Sequence, residues 1–194
     1  MRICKLGEEV LREKCTPLAE SEINDDFRKL CEEMFETMDQ ADGVGLAAPQ
    51  VGIAKRFFVV TADDGVRRVF VNPEIIKTSS EIVPYEEGCL SLPGIYEEIK
   101  RPAAVTITAL DQNGKRFTLD AEGLLARVVQ HENDHLDGIL YIDRGDPDFK
   151  EEVTDQFKRR AERAAKKAAE KAAKKASLEA KLAAKAAKKA AKNS

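Results

Sequence analysis

Hydrophobic positions in this chain change their period several times, and each change marks an element. Between residues 24 and 42, Phe27, Leu30, Cys31, Met34, Phe35 and Met38 recur every three or four positions. That spacing puts them on one stripe of a helix, and Asn24 or Asp25 offers a side-chain oxygen to cap its first turn. The next stretch, Gly43-Val44-Gly45-Leu46-Ala47-Ala48-Pro49-Gln50, is too glycine-rich for a helix interior and too short for a linker. Runs of β-branched and aromatic residues follow at residues 56–61, 66–71, 95–99, 104–110 and 115–119, which predict strands. Asp64-Gly65 and Asn113-Gly114 separate neighbouring pairs of these runs and predict hairpin turns. From about residue 121 to 137 the helical period returns, and Leu124, Val128, His131 and His135 form one stripe that turns both imidazoles inward.

The C-terminal part reads differently. Phe149, Val153 and Phe157 repeat every four residues, enough to dock the start of a helix. From Ala161 onward the chain is mostly alanine and lysine, with Leu178 and Leu182 as the main larger apolar residues. Both common residues favour helix, although lysines one turn apart repel and predict fraying toward the end. The expected organisation is a folded body over residues 1–147, a docked helical start over 148–160, and a basic tail over 161–194.

Charge sharpens that division. The net charge of −3 conceals 14 Lys/Arg against 3 acidic residues in 158–194, hence +11 there and −14 in the remainder. An acidic body therefore carries a basic tail that reads either as a solvated, low-complexity extension aiding solubility or as an element suited to phosphate attraction and RNA contact. No run reaches the roughly 18 apolar residues that span a bilayer, so no membrane association is expected. The N-terminus lacks an apolar secretory stretch and an Arg/Ser-rich transit sequence, so the expected location is cytoplasmic. Four cysteines without paired spacing then read as reduced thiols.

The candidate chemistry lies in Gln130-His131-Glu132-Asn133-Asp134-His135, which holds the only two histidines of the chain. Histidines at i and i+4 meet one ion from one helix face, and the intervening glutamate can reach a water there. A tetrahedral centre needs a third protein ligand. Downstream there are only scattered acids. Upstream, Glu86-Glu87-Gly88-Cys89-Leu90-Ser91-Leu92-Pro93 sets Cys89 in a stretch with turn character, although a lone cysteine can equally be an inert packing residue. Likewise residues 43–50 read either as a functional loop or as a plain connecting turn.

Three of these segments together resemble the peptide deformylases. Residues 43–50 match that family's glycine–hydrophobic–glycine–leucine–alanine–alanine–x–glutamine segment, 87–91 its Glu-Gly-Cys-Leu-Ser, and 130–136 its Gln-His-Glu-x-Asp-His-Leu. They occur in the family's order over roughly residues 1–160. The resemblance implies an α+β fold, with antiparallel sheets around a central helix carrying the histidines and a C-terminal helix. It implies removal of the formyl group from N-formylmethionine on nascent polypeptides, with release of formate. Cys89, His131 and His135 become metal ligands for one divalent ion, ferrous iron in the cell, with zinc, nickel or cobalt in purified protein. Glu132 becomes the proton carrier, and Gln50 and the Leu90 N–H the oxyanion donors. Gly43, Val44, Gly45, Tyr85, Glu87, Leu124 and Val128 become substrate-binding residues, and a C-terminal helix resembles the family's ribosome-docking element. Two positions depart from the commonest pattern: Tyr96 replaces a frequent substrate-contacting arginine, and Arg127 stands at a usually apolar pocket edge. A zinc endopeptidase and a non-catalytic nucleic-acid binder with a vestigial motif are the competing classes.

Overall fold

The structure, a computed structural model, describes the backbone of residues 1–192 and the side chains of residues 1–175. It divides into two compact units, Met1–Val153 and Thr154–Ser194.

In the first unit, helix α1 spans Asp25–Gln40, and Asn24 caps it through a side-chain oxygen that accepts from the Asp26 and Phe27 N–H groups. A five-stranded antiparallel sheet follows, ordered β1-β2-β3-β6-β7, from β1 (Gly45–Ala47), β2 (Phe57–Thr61), β3 (Arg67–Thr78), β6 (Ala104–Leu110) and β7 (Arg116–Glu122). Strands β4 (Ile82–Cys89) and β5 (Leu92–Pro102) pair only with each other. Helix α2 runs Gly123–Leu136. The two glycine turns hold: Gly65 and Gly114 have φ of 67° and 77°, and each closes a hairpin of the larger sheet.

Strand β2 explains why both helices are needed. Phe57 and Val59 join Phe27, Met34 and Phe35 of α1 in one core, while Phe58 and Val60 join Ala126, Val129 and Leu136 of α2 in another. Alternating residues point to opposite faces, so a continuously apolar strand demands cover on each side. Phe27 meets Phe57 edge-on at 5.0 Å, and Phe58 stacks on Phe70 at 4.8 Å. The sheet thus lies between two helices, a layering that the periodicity alone did not disclose. From Ala126 to Glu132 every residue of α2 is buried. The sheet covers one side of this helix, and β4 and β5 reach it through Val83, Ile99 and Arg101.

Two strands went unforeseen. Strand β1 is short and glycine-led, and β4 carries Pro84 and Gly88, both poor strand formers. Cys89, expected in a turn, is instead the last residue of β4, beside a register shift between Gly88 and Cys89. Helix α3 (Pro147–Lys192) begins in the first unit and runs on through the lysine-rich stretch of the second, as the helix propensities of alanine and lysine favour. Side chains from 158 to 175 are exposed there, and Leu178 and Leu182 lie outside the described side chains. Asn24→Ala removes the α1 cap and is expected to cost about 1 kcal/mol, read as a lowered thermal midpoint with the fold retained by circular dichroism.

Candidate active site

The larger sheet and the β4–β5 hairpin bring separate pieces of chain to one cleft of about 660 Å³. Its floor is α2. His131 and His135 lie one turn apart, with ring centroids 5.1 Å apart. Cys89 comes from the hairpin, and its Sγ stands 3.3 Å from His135 Nε2. Donor atoms of Cys89, His131 and His135 all lie within 4.8 Å of one another, a group able to hold a metal ion.

The environment of each donor is specific. His131 Nδ1 bonds Glu87 Oε2 at 2.9 Å, which leaves Nε2 to face Cys89. Such an outer partner fixes ring orientation and raises ligand basicity. Burial opposes a charge on His131, but its hydrogen bonds to Cys89 and Glu87 raise its pKa well above the ordinary value. Burial and the neighbouring His131 lower that of His135. Glu87 is itself buried. Desolvation would raise its pKa, yet His131 and Arg101 hold it at about 2.

Glu132, also buried, has an Oε2 with no hydrogen-bond partner. Burial drives its pKa up to about 7, with His131 pulling downward and Glu87 pushing upward. A side chain on Gly45 would collide with the Glu132 carboxylate, so glycine here makes room for the acid. Gly43 does the same for Leu90, where an added Cβ would lie 2.7 Å from Leu90 Cδ1.

Gln50 sits in a short 3-10 turn (Ala48–Val51) directly after β1. Its Oε1 accepts from the Ala47 N–H at 2.8 Å, which turns Nε2 toward Cys89 Sγ at 3.4 Å and Ser91 Oγ at 3.3 Å. Lys5 Nζ donates to the Leu90 carbonyl at 2.7 Å and steadies the turn. Of the residues singled out from sequence, Gly43, Val44, Gly45, Gln50, Tyr85, Glu87, Cys89, Leu90, Leu124, Val128, His131 and Glu132 all border this cleft, as do Tyr96 and Arg127. His135 lies behind them, 1% exposed.

Sequence reasoning missed the charges behind the histidines. Arg101 from β5 grips Glu87 through Nε at 2.6 Å and Nη2 at 3.0 Å, and Asp134 through Nη1 at 2.6 Å. Arg144 holds both oxygens of Asp134. Tyr141 stacks on His131 at 5.9 Å and donates to the Ile95 carbonyl at 2.9 Å. Asp134 could have been found, because it sits three residues after His131 within the motif itself. Arg101 gave no such signal, since its register opposite Val83 is set only by strand pairing.

A helix-borne His-Glu-x-x-His with a free thiol beside it, at the floor of an open cleft, defines a metal-dependent hydrolase. The profile of the polypeptide deformylase family matches residues 1–151, and the chain belongs to that family, metal-dependent enzymes that remove the N-formyl group from nascent peptides. It is 50% identical over 146 residues to a peptide deformylase of Fusobacterium nucleatum, covering 75% of this chain and 84% of that protein. It is 56% identical over 137 residues to peptide deformylase 1 of Clostridium perfringens, covering 70% and 91%. The crystal structure of the Thermotoga maritima peptide deformylase matches with a TM-score of 0.71 at 43% identity, over 75% of this chain and 97% of that one. A Synechococcus elongatus peptide deformylase in complex with actinonin matches at 0.75 and 39% identity, over 80% and 86%.

Gly45→Ala places a methyl group against the Glu132 carboxylate. The expected result is a fall in kcat of about 100-fold, with bound metal unchanged by elemental analysis.

Proposed function

We propose that this chain cleaves the formyl group from N-formylmethionine at the start of new polypeptides and releases formate. In this reading Cys89, His131 and His135 hold one divalent ion, ferrous iron in the cell, replaceable by zinc, nickel or cobalt in purified protein. The observation that carries it is the approach of Cys89 Sγ to His135 Nε2 across a sequence separation of 46. One thiolate and two imidazoles suit a borderline-soft divalent cation. The unpartnered Glu132 Oε2 suits a place where a proton-bearing atom arrives. When bound, the ion ionises water near neutral pH and polarises a formyl carbonyl.

The chain's own groups do the rest. Glu132 accepts the proton of the attacking water and returns it to the departing amine nitrogen. Gln50 Nε2 and the Leu90 N–H donate to the developing oxyanion; losing one such donor typically costs about 3–4 kcal/mol of barrier. Glu87 holds the His131 ring through Nδ1, a role closer to the ion than the pocket wall assigned to it from sequence. Strand β1 lies at the edge of its sheet, so a substrate peptide can add beside Val44 and Gly45 as a further strand. Leu124, Val128, Val44 and Tyr85 give the methionine side chain an apolar enclosure.

The proposed partners beyond the nascent peptide are ribosomal RNA phosphates, met by the basic tail. Its supports are the +11 charge of 158–194 and the exposed side chains of 158–175. Among the described residues no helix is long and apolar enough to cross a membrane.

Three variants test this function. In anaerobically purified protein, Glu132→Gln should keep its metal while formate release from a formyl-Met dipeptide drops by about 10²- to 10⁴-fold. Cys89→Ala should lose the metal; full occupancy in that variant would refute the ligand set. A chain truncated after Arg160 should deformylate the free dipeptide normally yet co-sediment less with ribosomes at low salt, and equal co-sedimentation would remove the tail from the function.

A further inference from the structure

One residue in the cleft wall joins two tasks that the proposed reaction keeps separate. Arg127 lies on α2 one turn before His131, and the two point at the same carboxylate: Arg127 Nη1 donates to Glu87 Oε1 at 2.9 Å, while His131 Nδ1 meets Glu87 Oε2 at 2.9 Å. The same guanidinium reaches both strands of the hairpin, from Nη1 to the Ile99 carbonyl at 3.0 Å and from Nη2 to the Val83 carbonyl at 2.8 Å. Its carbon stands 5.5 Å from the centre of the Tyr85 ring. Arg127 is 6% exposed while Tyr85 is 51% exposed, so the cation backs a ring whose other side is open to the cleft.

We infer that Arg127 is a positioning residue that ties methionine recognition to metal retention: it fixes Glu87, and through it the His131 ring, while holding Tyr85 in place as a wall of the side-chain pocket. The inference rests on the function proposed above. Each bond uses a property of guanidinium. The planar fork serves Glu87 and two carbonyls at once, and its face serves the ring. An apolar residue of similar length fills the space without any of these bonds. A lysine restores the ion pair, but a single ammonium lacks the fork that reaches Glu87, both carbonyls and the ring at once. Arg101 still holds Glu87 in either variant, and what is lost is the restraint that Arg127 adds on Oε1.

The test uses the full chain carrying Arg127→Met, Arg127→Lys, Tyr85→Leu and the Arg127→Lys/Tyr85→Leu pair. Zinc affinity is measured by chelator competition, and kcat and KM are measured with metal in excess on formyl-Met and formyl-Ala dipeptides. Arg127→Met is expected to bind zinc about 10- to 100-fold more weakly. Its KM for the formyl-Met dipeptide should rise about tenfold with kcat little changed, and its preference over the formyl-Ala dipeptide should narrow. Arg127→Lys should recover most of the zinc affinity and little of the KM. A folded Arg127→Met with wild-type zinc affinity and wild-type KM overturns the inference. If Arg127→Met does not fold, the lysine cycle decides: additive effects of Arg127→Lys and Tyr85→Leu on KM overturn it, and strong non-additivity supports it. A wild-type chain that releases no formate when loaded sinks the functional reading instead, so the two failures are told apart.

Discussion

A buried carboxylate must find its counter-charges inside the protein, and Glu87 does so from three directions. Left unopposed, such a charge costs several kcal/mol. Arg101 from β5, Arg127 from α2 and the His131 ring from α2 each bond it, so one acid fastens the hairpin to the helix. The chain of charges continues through Arg101 to Asp134 and on to Arg144, just beyond the end of α2. The cleft inherits its shape from this arrangement, because Cys89 on the hairpin reaches the histidines only where the hairpin is held.

Packing imposes the second constraint. The larger sheet carries a helix on each face because β2 is apolar on both sides, and α2 is buried along its middle. With no solvent face there, α2 can carry Arg127, Gln130, His131, Glu132 and Asp134 only because almost every polar group meets a partner; Gln130, for example, donates to the Pro102 and Ala126 carbonyls at 3.0 Å each. Glu132 Oε2, Asn133 Oδ1 and His135 Nδ1 are exceptions, and the first of them borders the cleft. Gly45 lets β1 and Glu132 approach closely enough for sheet and helix to share the site.

What could be read from sequence tracks the range of the interactions involved. Helices α1 and α2 announced themselves within two residues of their ends, because periodicity and capping are local. The hairpin turns at Gly65 and Gly114 were equally local. Strand β4 escaped because Pro84 and Gly88 weaken its pattern, and its pairing with β5 is what makes it a strand. The three donors of the site were legible through their motifs, yet the role of Glu87 was not: its neighbours Arg101 and Arg127 lie 14 and 40 residues away. Arg127 looked like an oddity at a pocket rim, and only its four contacts in space give it a purpose.

The placement of Cys89 at one end of a two-stranded hairpin has a consequence for assembly. Neither α2 nor the hairpin holds all three donors, so an ion has no complete cradle until the hairpin has docked. A cation held by all three donors would therefore favour the docked hairpin over any form in which it has come away. By mass action, an ion supplied at a hundred times its dissociation constant adds about 2.7 kcal/mol to the folded state. A metal bound at this group would thus add to the lifetime of the fold as well as to turnover.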